Sequence, residues 1–356
     1  MIKFLHAADL HLDSPFASLP PDKAAVRRRE QRQLLDELVS LCDEEGCDLL
    51  LLAGDLFDAE AARRDTWESL TRSLRNCRAR VFIAPGNHDF CAPGSPYCAD
   101  WPDNVHIFRD PVPTPVALDG LNAVVWGAAF SSSTSGPLLE GFRVDDPDQY
   151  NLMVLHGDAA TPSSPYNPIT AGQIAGSGLD YLALGHIHAA SGARTAGKTV
   201  YAWPGCAMGR GFDELGEKGV YLGTLADSGC TLTFRPLSGR RYEILQVEAG
   251  DDPLSAIEAK LPPDTEHDIY RVILTGPAEP PNLRALEREL SPRFFGLTLR
   301  DETTPVRDLW AEAGEDGLKS LFLNLLSARR ESDPALYDLA ARLGVAAMEG
   351  WEVLDR

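Results

Sequence analysis

Two histidines one residue apart, His186 and His188 in the stretch LALGHIHAAS, close an apolar run. In an extended chain, side chains two apart share a face, so both imidazoles can address one site. Four other apolar runs end in similar chemistry: Asp9 and His11 after IKFLHAAD, Asp55 in DLLLLAGD, Asn87 and His88 in VFIAPGNHD, and His156 in NLMVLHGD. Together they use most of the protein's eight histidines. Imidazole, carboxylate and amide oxygen without thiolate suit manganese, iron or zinc in a reactive site better than a structural zinc cage. Asp9, His11, Asp55, Asn87, His156, His186 and His188 are too many donors for a single ion. With one carboxylate shared they would serve two ions about 3.5 to 4 Å apart, as in two-metal phosphoryl-transfer sites. The reaction class this points to is phosphoester hydrolysis.

Donors at several strand ends meet only if the strands run parallel, because ligands of open α/β sheets gather outside the carboxyl ends. The five runs are continuously apolar, as expected of strands covered on both faces. Between the first two lies DKAAVRRREQRQLLDELVSLCDEEG, with Leu34, Leu35, Leu38 and Leu41 on one stripe. A second helix is expected near AARRDTWESLTRSLRN, before the third run. This βαβαβ opening predicts an α/β sandwich with parallel strands. From residue 195 the pattern changes to hairpins, with Asp227, Ser228 and Gly229 as turn residues. A boundary is expected at LSGRR, giving a main domain over 1–240 and a smaller α+β domain over 241–356. The latter ends in helices, with one stripe of Leu318, Leu321, Phe322, Leu325 and Leu326 and another of Leu336, Leu339, Ala340 and Leu343. Packing within the domain is the expected use of both, and a partner surface is the alternative.

The chain of 356 residues is 44% hydrophobic, enough for a full core and against a disordered or fibrous protein. No apolar run reaches the roughly 18 residues that span a bilayer, and MIKFLHAADL does not read as a signal peptide, so a cytoplasmic location without membrane contact is expected. Seven cysteines without a C-x-x-C pair fit reduced thiols. A formal charge of −20 argues against general polyanion coating. Residues 151–250 nevertheless carry 7 basic and 8 acidic groups, leaving room for a near-neutral working face.

The blocks D-x-H (Asp9 to His11), GDLFD (Gly54 to Asp58), GNHD (Gly86 to Asp89), LHG (His156) and GHIH (Gly185 to His188) resemble, in order, the calcineurin-like metallophosphoesterase superfamily. That resemblance implies a four-layer α/β/β/α sandwich. It also implies one ion held by Asp9, His11, Asp55 and His188, and another by Asp55, Asn87, His156 and His186, with Asp55 bridging. His88 carries over as the general acid or phosphate-stabilising group, and Asp58 as the acid that pairs with it. The wider spelling HAADLHLDSPF, EEGCDLLLLAGDLFD, APGNHD, GLDYLALGHIH and PGCAMGRGFDELGEKG resembles bacterial SbcD exonucleases and their shorter YhaO-like DNA-repair relatives. The likeness covers roughly residues 1–240 and continues more weakly through LAARLGVAAMEG. Asp58 follows the bacterial branch, where archaeal and eukaryotic relatives commonly have histidine.

The resemblance implies a dimetal DNA exonuclease or endonuclease of DNA repair, with manganese foremost and iron or zinc as alternatives. DNA and an SMC-like (SbcC-type) ATPase subunit would be its partners, and a homodimer is a further option. Two other readings stand beside it: hydrolysis of a small phosphodiester or phosphoprotein, which suits the acidic surface, and a docking subunit with weak activity alone. Elsewhere His6, of opposite strand parity to Asp9, is expected to pack beneath the site, and His106 and His267 to be structural. Arg27, Arg28 and Arg29 are expected on a solvated helix face. Tyr166, in GDAATPSSPYNPIT, could stack on a base or lie in an inert loop.

Overall fold

The computed structural model describes residues 1–59, 62–304, 309–314 and 317–348. Its first sheet follows from the opening pattern: β1 (Ile2–Ala7), α1 (Pro21–Glu44), β2 (Leu49–Leu52), α2 (Arg64–Asn76), β3 (Arg80–Ile83) and β4 (Val105–Ile107). Strands β1 to β4 are mutually parallel. The second sheet is built from β5 (Thr114–Leu118), β6 (Ala123–Gly127), β7 (Tyr150–His156), α3 (Ala171–Ser177), β8 (Tyr181–Gly185), β9 (Arg194–Ala196) and β10 (Thr199–Ala202). Its order is β5-β6-β7-β8-β10-β9, with the central four strands parallel and both edges antiparallel. The hairpin β11 (Gly219–Ala226) and β12 (Gly229–Pro236) turns at Asp227 and Ser228 and returns to the first sheet, β11 lying antiparallel to β1.

Side-chain parity sorts the strands into layers. In β2, Leu50 and Leu52 join Leu34, Leu35 and Leu38 of α1 and Leu70 and Leu74 of α2 in one buried cluster. Leu49 and Leu51 point the other way, into a cluster with Val125, Leu152, Val154, Tyr181 and Ala183 of the second sheet. The opposite face of that sheet, with Met153, Leu155, Leu182 and Leu184, packs on Ile174 of α3 and on Trp203. Helices, sheet, sheet and helix therefore stack as four layers, and all four leucines of β2 are buried because both faces are covered.

Helix α1 begins with Pro21, whose missing N–H costs nothing at a helix start. It ends in a Schellman motif: Cys47 N donates to Cys42 O at 2.9 Å and Gly46 N to Asp43 O at 3.2 Å, with Gly46 at φ +64°. Arg27 is not on a solvated face. It is fully buried, donating to Gly209 O and Glu30 and lying over the Phe16 ring, because the loop at 209 covers this part of the helix. Arg28 is half-buried and Arg29 exposed.

The chain divides into two compact units, one of residues 1–245, 262–271 and 287–298, the other of residues 246–261, 272–286 and those described from 299 onward. The remaining elements are β13 (Tyr242–Glu248), α4 (Pro253–Lys260), β14 (Ile269–Thr275), α5 (Leu283–Leu290), β15 (Gly296–Asp301), α6 (Leu318–Ser327) and α7 (Pro334–Met348), the three strands forming one sheet in the order β13-β14-β15. The expected terminal stripes are only partly inside. Phe322 and Leu326 pack with Leu323, Ala341 and Val345, but Leu318, Leu321, Leu325, Leu336, Leu339 and Leu343 are exposed. The two helices meet through faces rotated from the leucine rows, where Gly344 lets the Phe322 ring approach. Residues 305–308, 315–316 and 349–356 of the expected helical tail, and Ala61 at the head of the second expected helix, lie outside the described residues. No helix among the described residues is long and apolar enough to cross a membrane.

Leu51, fully buried between the sheets, tests the layering. Leu51→Ala should lower stability by about 2–5 kcal/mol in denaturant titration. Val112→Ala, at an exposed loop position, should stay within about 0.5 kcal/mol, and equal losses would contradict the packing.

Candidate metal centre

Beyond the carboxyl ends of β1, β2 and β8 the backbone adopts conformations that side chains ordinarily avoid. Asp9 (φ +52°), His11 (φ +42°), Asp55 (φ +50°) and His186 (φ +99°) are all left-handed non-glycine residues. Such residues cost on the order of 1–3 kcal/mol each and persist only where the surroundings impose them. Here the loops impose them on one another. Asp9 N donates to Gly54 O, His11 N to Asp55 O and Leu12 N to Leu56 O at 2.8–3.1 Å, so the first loop lies along the second. His186 N donates to both Asp9 carboxylate oxygens at 3.0 and 3.1 Å. A Cβ on Gly185 would overlap the Ala53 carbonyl oxygen, and one on Gly86 would overlap the Asp55 carboxylate.

The side chains then converge on Asp55. Its Oδ1 accepts from His88 N at 3.0 Å, while Oδ2 lies 3.4 Å from His156 Nε2 and 3.7 Å from His11 Nε2. His156 Nδ1 donates to Ala53 O at 3.0 Å, which leaves Nε2 as a bare lone pair. That lone pair faces Asn87 Oδ1 at 2.9 Å, one acceptor against another. On the other side, His188 Nδ1 donates to Glu214 Oε1 at 2.8 Å, and its Nε2 lies 3.3 Å from His11 Nε2, while His11 Nδ1 has no hydrogen-bond partner. Acceptors brought together without a proton to share repel unless a cation lies among them, so the donor set fits divalent metal ions. Ligand atoms of Asp9, His11 and His188 lie within 4.8 Å of one another, as do those of Asp9, Asp55 and His156. His186 joins neither group; its ring stands edge-on to His156 at 5.3 Å and against Tyr166 at 5.0 Å.

The electrostatics are those of a buried site. Burial pushes the Asp9 carboxyl up to about 8, and burial likewise raises Asp55. Burial lowers His156 and His186 to about 4 and takes His11 well down, so these imidazoles are neutral and ready to ligate. His188 is raised: burial opposes its charge, and the Glu214 hydrogen bond together with the negative charges of Asp9 and Glu214 outweighs that.

Asp58 and His88 come close without a direct bond. Ligand atoms of His11, Asp58 and His88 lie within 4.8 Å of one another, and the His88 ring is exposed at the rim. Asp58 Oδ1 accepts from Arg210 Nη1 at 3.0 Å and lies 3.2 Å from His11 Nδ1. His6 is fully buried, with Nδ1 2.7 Å from Tyr181 Oη in the layer between the sheets.

Three supporting residues had no role assigned from the sequence. Glu214 orients His188 and also receives Arg210, which bridges it to Asp58. Asp89, fully buried, accepts from Leu56 N, Phe57 N and Gly86 N and from Tyr97 Oη, tying the loop after β2 to the loop after β3. Only the spelling around 206–218 and GNHD marked these positions, and neither spacing nor periodicity distinguishes a supporting carboxylate from a surface one.

With this geometry in place, comparison with known proteins gives the class. Residues 2–190 match the family model for the calcineurin-like phosphoesterase, and the chain belongs to that family of metal-dependent phosphoester hydrolases. It is 32% identical over 275 residues to "Uncharacterized metallophosphoesterase YhaO" of Bacillus subtilis (strain 168), covering 72% of this chain and 64% of that protein's length. Among solved structures it is similar to a protein of Thermus thermophilus, with TM-score 0.42 and 13% identity over 65% of this chain and 98% of that one. It is also similar to a dimetal phosphatase from Danio rerio, with TM-score 0.44 and 12% identity over 66% and 96%.

Two measurements follow. Glu214→Ala should weaken manganese binding about 10- to 100-fold, with partial rescue in Glu214→Gln; unchanged affinity in both would remove Glu214 from the site. Because Asp9 is raised to about 8, the metal-free protein at neutral pH holds a proton that a cation must displace. Manganese affinity should therefore climb from neutral pH to about 8 and then level, with proton release visible by calorimetry in buffers of different ionisation heat. A flat profile would contradict the shift.

Proposed function

We propose that the protein is a manganese-dependent DNA phosphodiesterase of the SbcD and YhaO-like kind, acting as an exonuclease or endonuclease in DNA repair in the cytoplasm. The observation that carries the two-ion part of this reading is the gathering of donor atoms on two sides of Asp55, His11 and His188 on one and His156 and Asn87 on the other. Asp9, His11, Asp55 and His188 would hold one ion, and Asp55, Asn87, His156 and His186 the other. Bound there, the ions would supply Lewis-acid charge for the phosphate and activate water for attack. DNA as substrate rests on the spelling shared with the SbcD and YhaO-like family.

The chain's own residues supply the rest. His88 has its main-chain N–H tied to Asp55 and its ring exposed at the rim, a position from which it can donate a proton to the departing sugar oxygen. Asp58, held by Arg210, supplies negative charge beside that ring. Asp89 and Glu214 keep the loops and His188 in register before substrate arrives, so no reorganisation is needed at reaction. Support for an SMC-like ATPase partner is the row of exposed leucines on α6 and α7, whose apolar surface exceeds what solvent exposure alone favours.

His88→Ala should lower turnover about 10²- to 10⁴-fold with metal content unchanged. The assay pairs single-stranded oligonucleotide with bis-p-nitrophenyl phosphate and cyclic nucleotides in manganese. Cleavage of the oligonucleotide supports the nuclease reading. Hydrolysis of the small diesters alone would transfer the site to a small substrate, and unchanged turnover in the variant would remove His88 from the chemistry.

A further inference from the structure

The seven cysteines, dispersed in the sequence, all carry free thiols, yet five of them gather into two groups in the fold. Cys42, Cys47 and Cys77 form one group under the helices. The Cys42 to Cys47 contact there is the apolar contact that accompanies a Schellman motif, and all three are shielded from solvent. The other group differs in place and access. Cys91 lies two residues beyond GNHD and is half-buried, while Cys98 is exposed.

We propose that Cys91 and Cys98 are a redox-modification site, closing a reversible intrachain disulfide when a hydroperoxide reaches Cys98. Cys91 is fixed by its N–H, which donates to Phe130 O at 2.8 Å. The chain then reverses: Ser95 N donates to Ala92 O at 2.9 Å, and Cys98 N to Ser95 O at 3.0 Å in the short turn Pro96–Cys98. The return leg brings the Cys98 Sγ back to donate to Ala92 O at 3.3 Å. That carbonyl belongs to the residue next to Cys91, so the turn returns the Cys98 sulfur to the neighbourhood of Cys91. Pairing requires the sulfurs to close to about 2.05 Å.

The two thiols divide the chemistry by exposure. Cys98 is the sulfur that a dissolved oxidant meets, whereas burial raises Cys91 and keeps it a thiol until a partner forms beside it. The Cys98 thiolate attacks one peroxide oxygen, the O–O bond breaks, and the released alkoxide or hydroxide takes up a proton. The resulting sulfenic acid is attacked by Cys91 sulfur, which loses its proton as hydroxide leaves, giving the S–S bond and water. Two thiols are oxidised by two electrons and one peroxide is reduced.

The location gives the bond a consequence. The closed ring would contain Tyr97, whose hydroxyl donates to Asp89 at 2.5 Å and whose ring stacks on Trp101. Asp89 in turn holds Gly86 N and Leu56 N, so the disulfide would lock the turn that braces two metal-site loops.

The test uses the full chain. Both cysteines fall in the single tryptic peptide 81–109, between Arg80 and the cut after Arg109. After hydrogen peroxide treatment and alkylation, that peptide should be lighter by two hydrogens, resist alkylation, and recover both thiols with dithiothreitol. The internal bond should be absent in Cys91→Ser and Cys98→Ser, and Cys91→Ser should leave a Cys98 sulfenic acid that dimedone traps. Alkylatable Cys91 beside a sulfinic or sulfonic Cys98, or Cys98 paired with any other thiol, would overturn the proposal.

Discussion

Two carboxylates, Asp9 and Asp55, are buried side by side under a ring of imidazoles, and the rest of the fold is arranged around that constraint. Burying such charge without a partner is among the costliest things a protein can do. Among the described residues, no lysine or arginine side chain is bonded to either; each is held by a main-chain N–H, from His186 to Asp9 and from His88 to Asp55. The free Asp55 oxygen points inward, toward the ring nitrogens of His11 and His156. A polypeptide that places acceptors this way has been shaped to take its positive charge from outside.

The sandwich makes this placement possible because parallel strands from two sheets deliver their carboxyl ends to one edge. Four left-handed residues bear the backbone strain, and glycines at 86 and 185 allow neighbouring loops to touch. Beneath this rim each sheet is anchored by layers of leucine, valine and phenylalanine. Rigidity of the core and precision of the rim thus come from the same alternation of side chains along β1, β2, β7 and β8. Beyond the donors, Asp89 and Glu214 convert loop positions into fixed ones, each through bonds that reach across segments far apart in the chain.

Much of this was legible in the residues. Strands buried on both faces are continuously apolar, so the runs ending at Asp9, Asp55, Asn87, His156 and His186 announced both the elements and the donors. The stripe on α1 did the same for its packing face. The division of those runs between two sheets was not legible, since parity inverts nothing when both faces are apolar; the resemblance to a family supplied it. Arg27 sits in an acidic, helical stretch that reads as solvated, and only the loop at 209 folding over it makes it buried. The leucine rows of α6 and α7 have helical period but face outward, because small residues, Ala341 and Gly344, provide the closer packing. Glu214 and Arg210 carry no periodic signature at all, and three-dimensional proximity to His188 is what gives them a role.

The central claim is that Asp55 is shared between two ions held by donors on either side of it. Crystals grown with manganese, with anomalous diffraction collected above the manganese edge, test it directly. The account predicts two peaks flanking the Asp55 carboxylate, one beside His11 and His188 and the other beside Asn87 and His156. A single peak at saturating manganese, or two peaks of which only one touches Asp55, would contradict it.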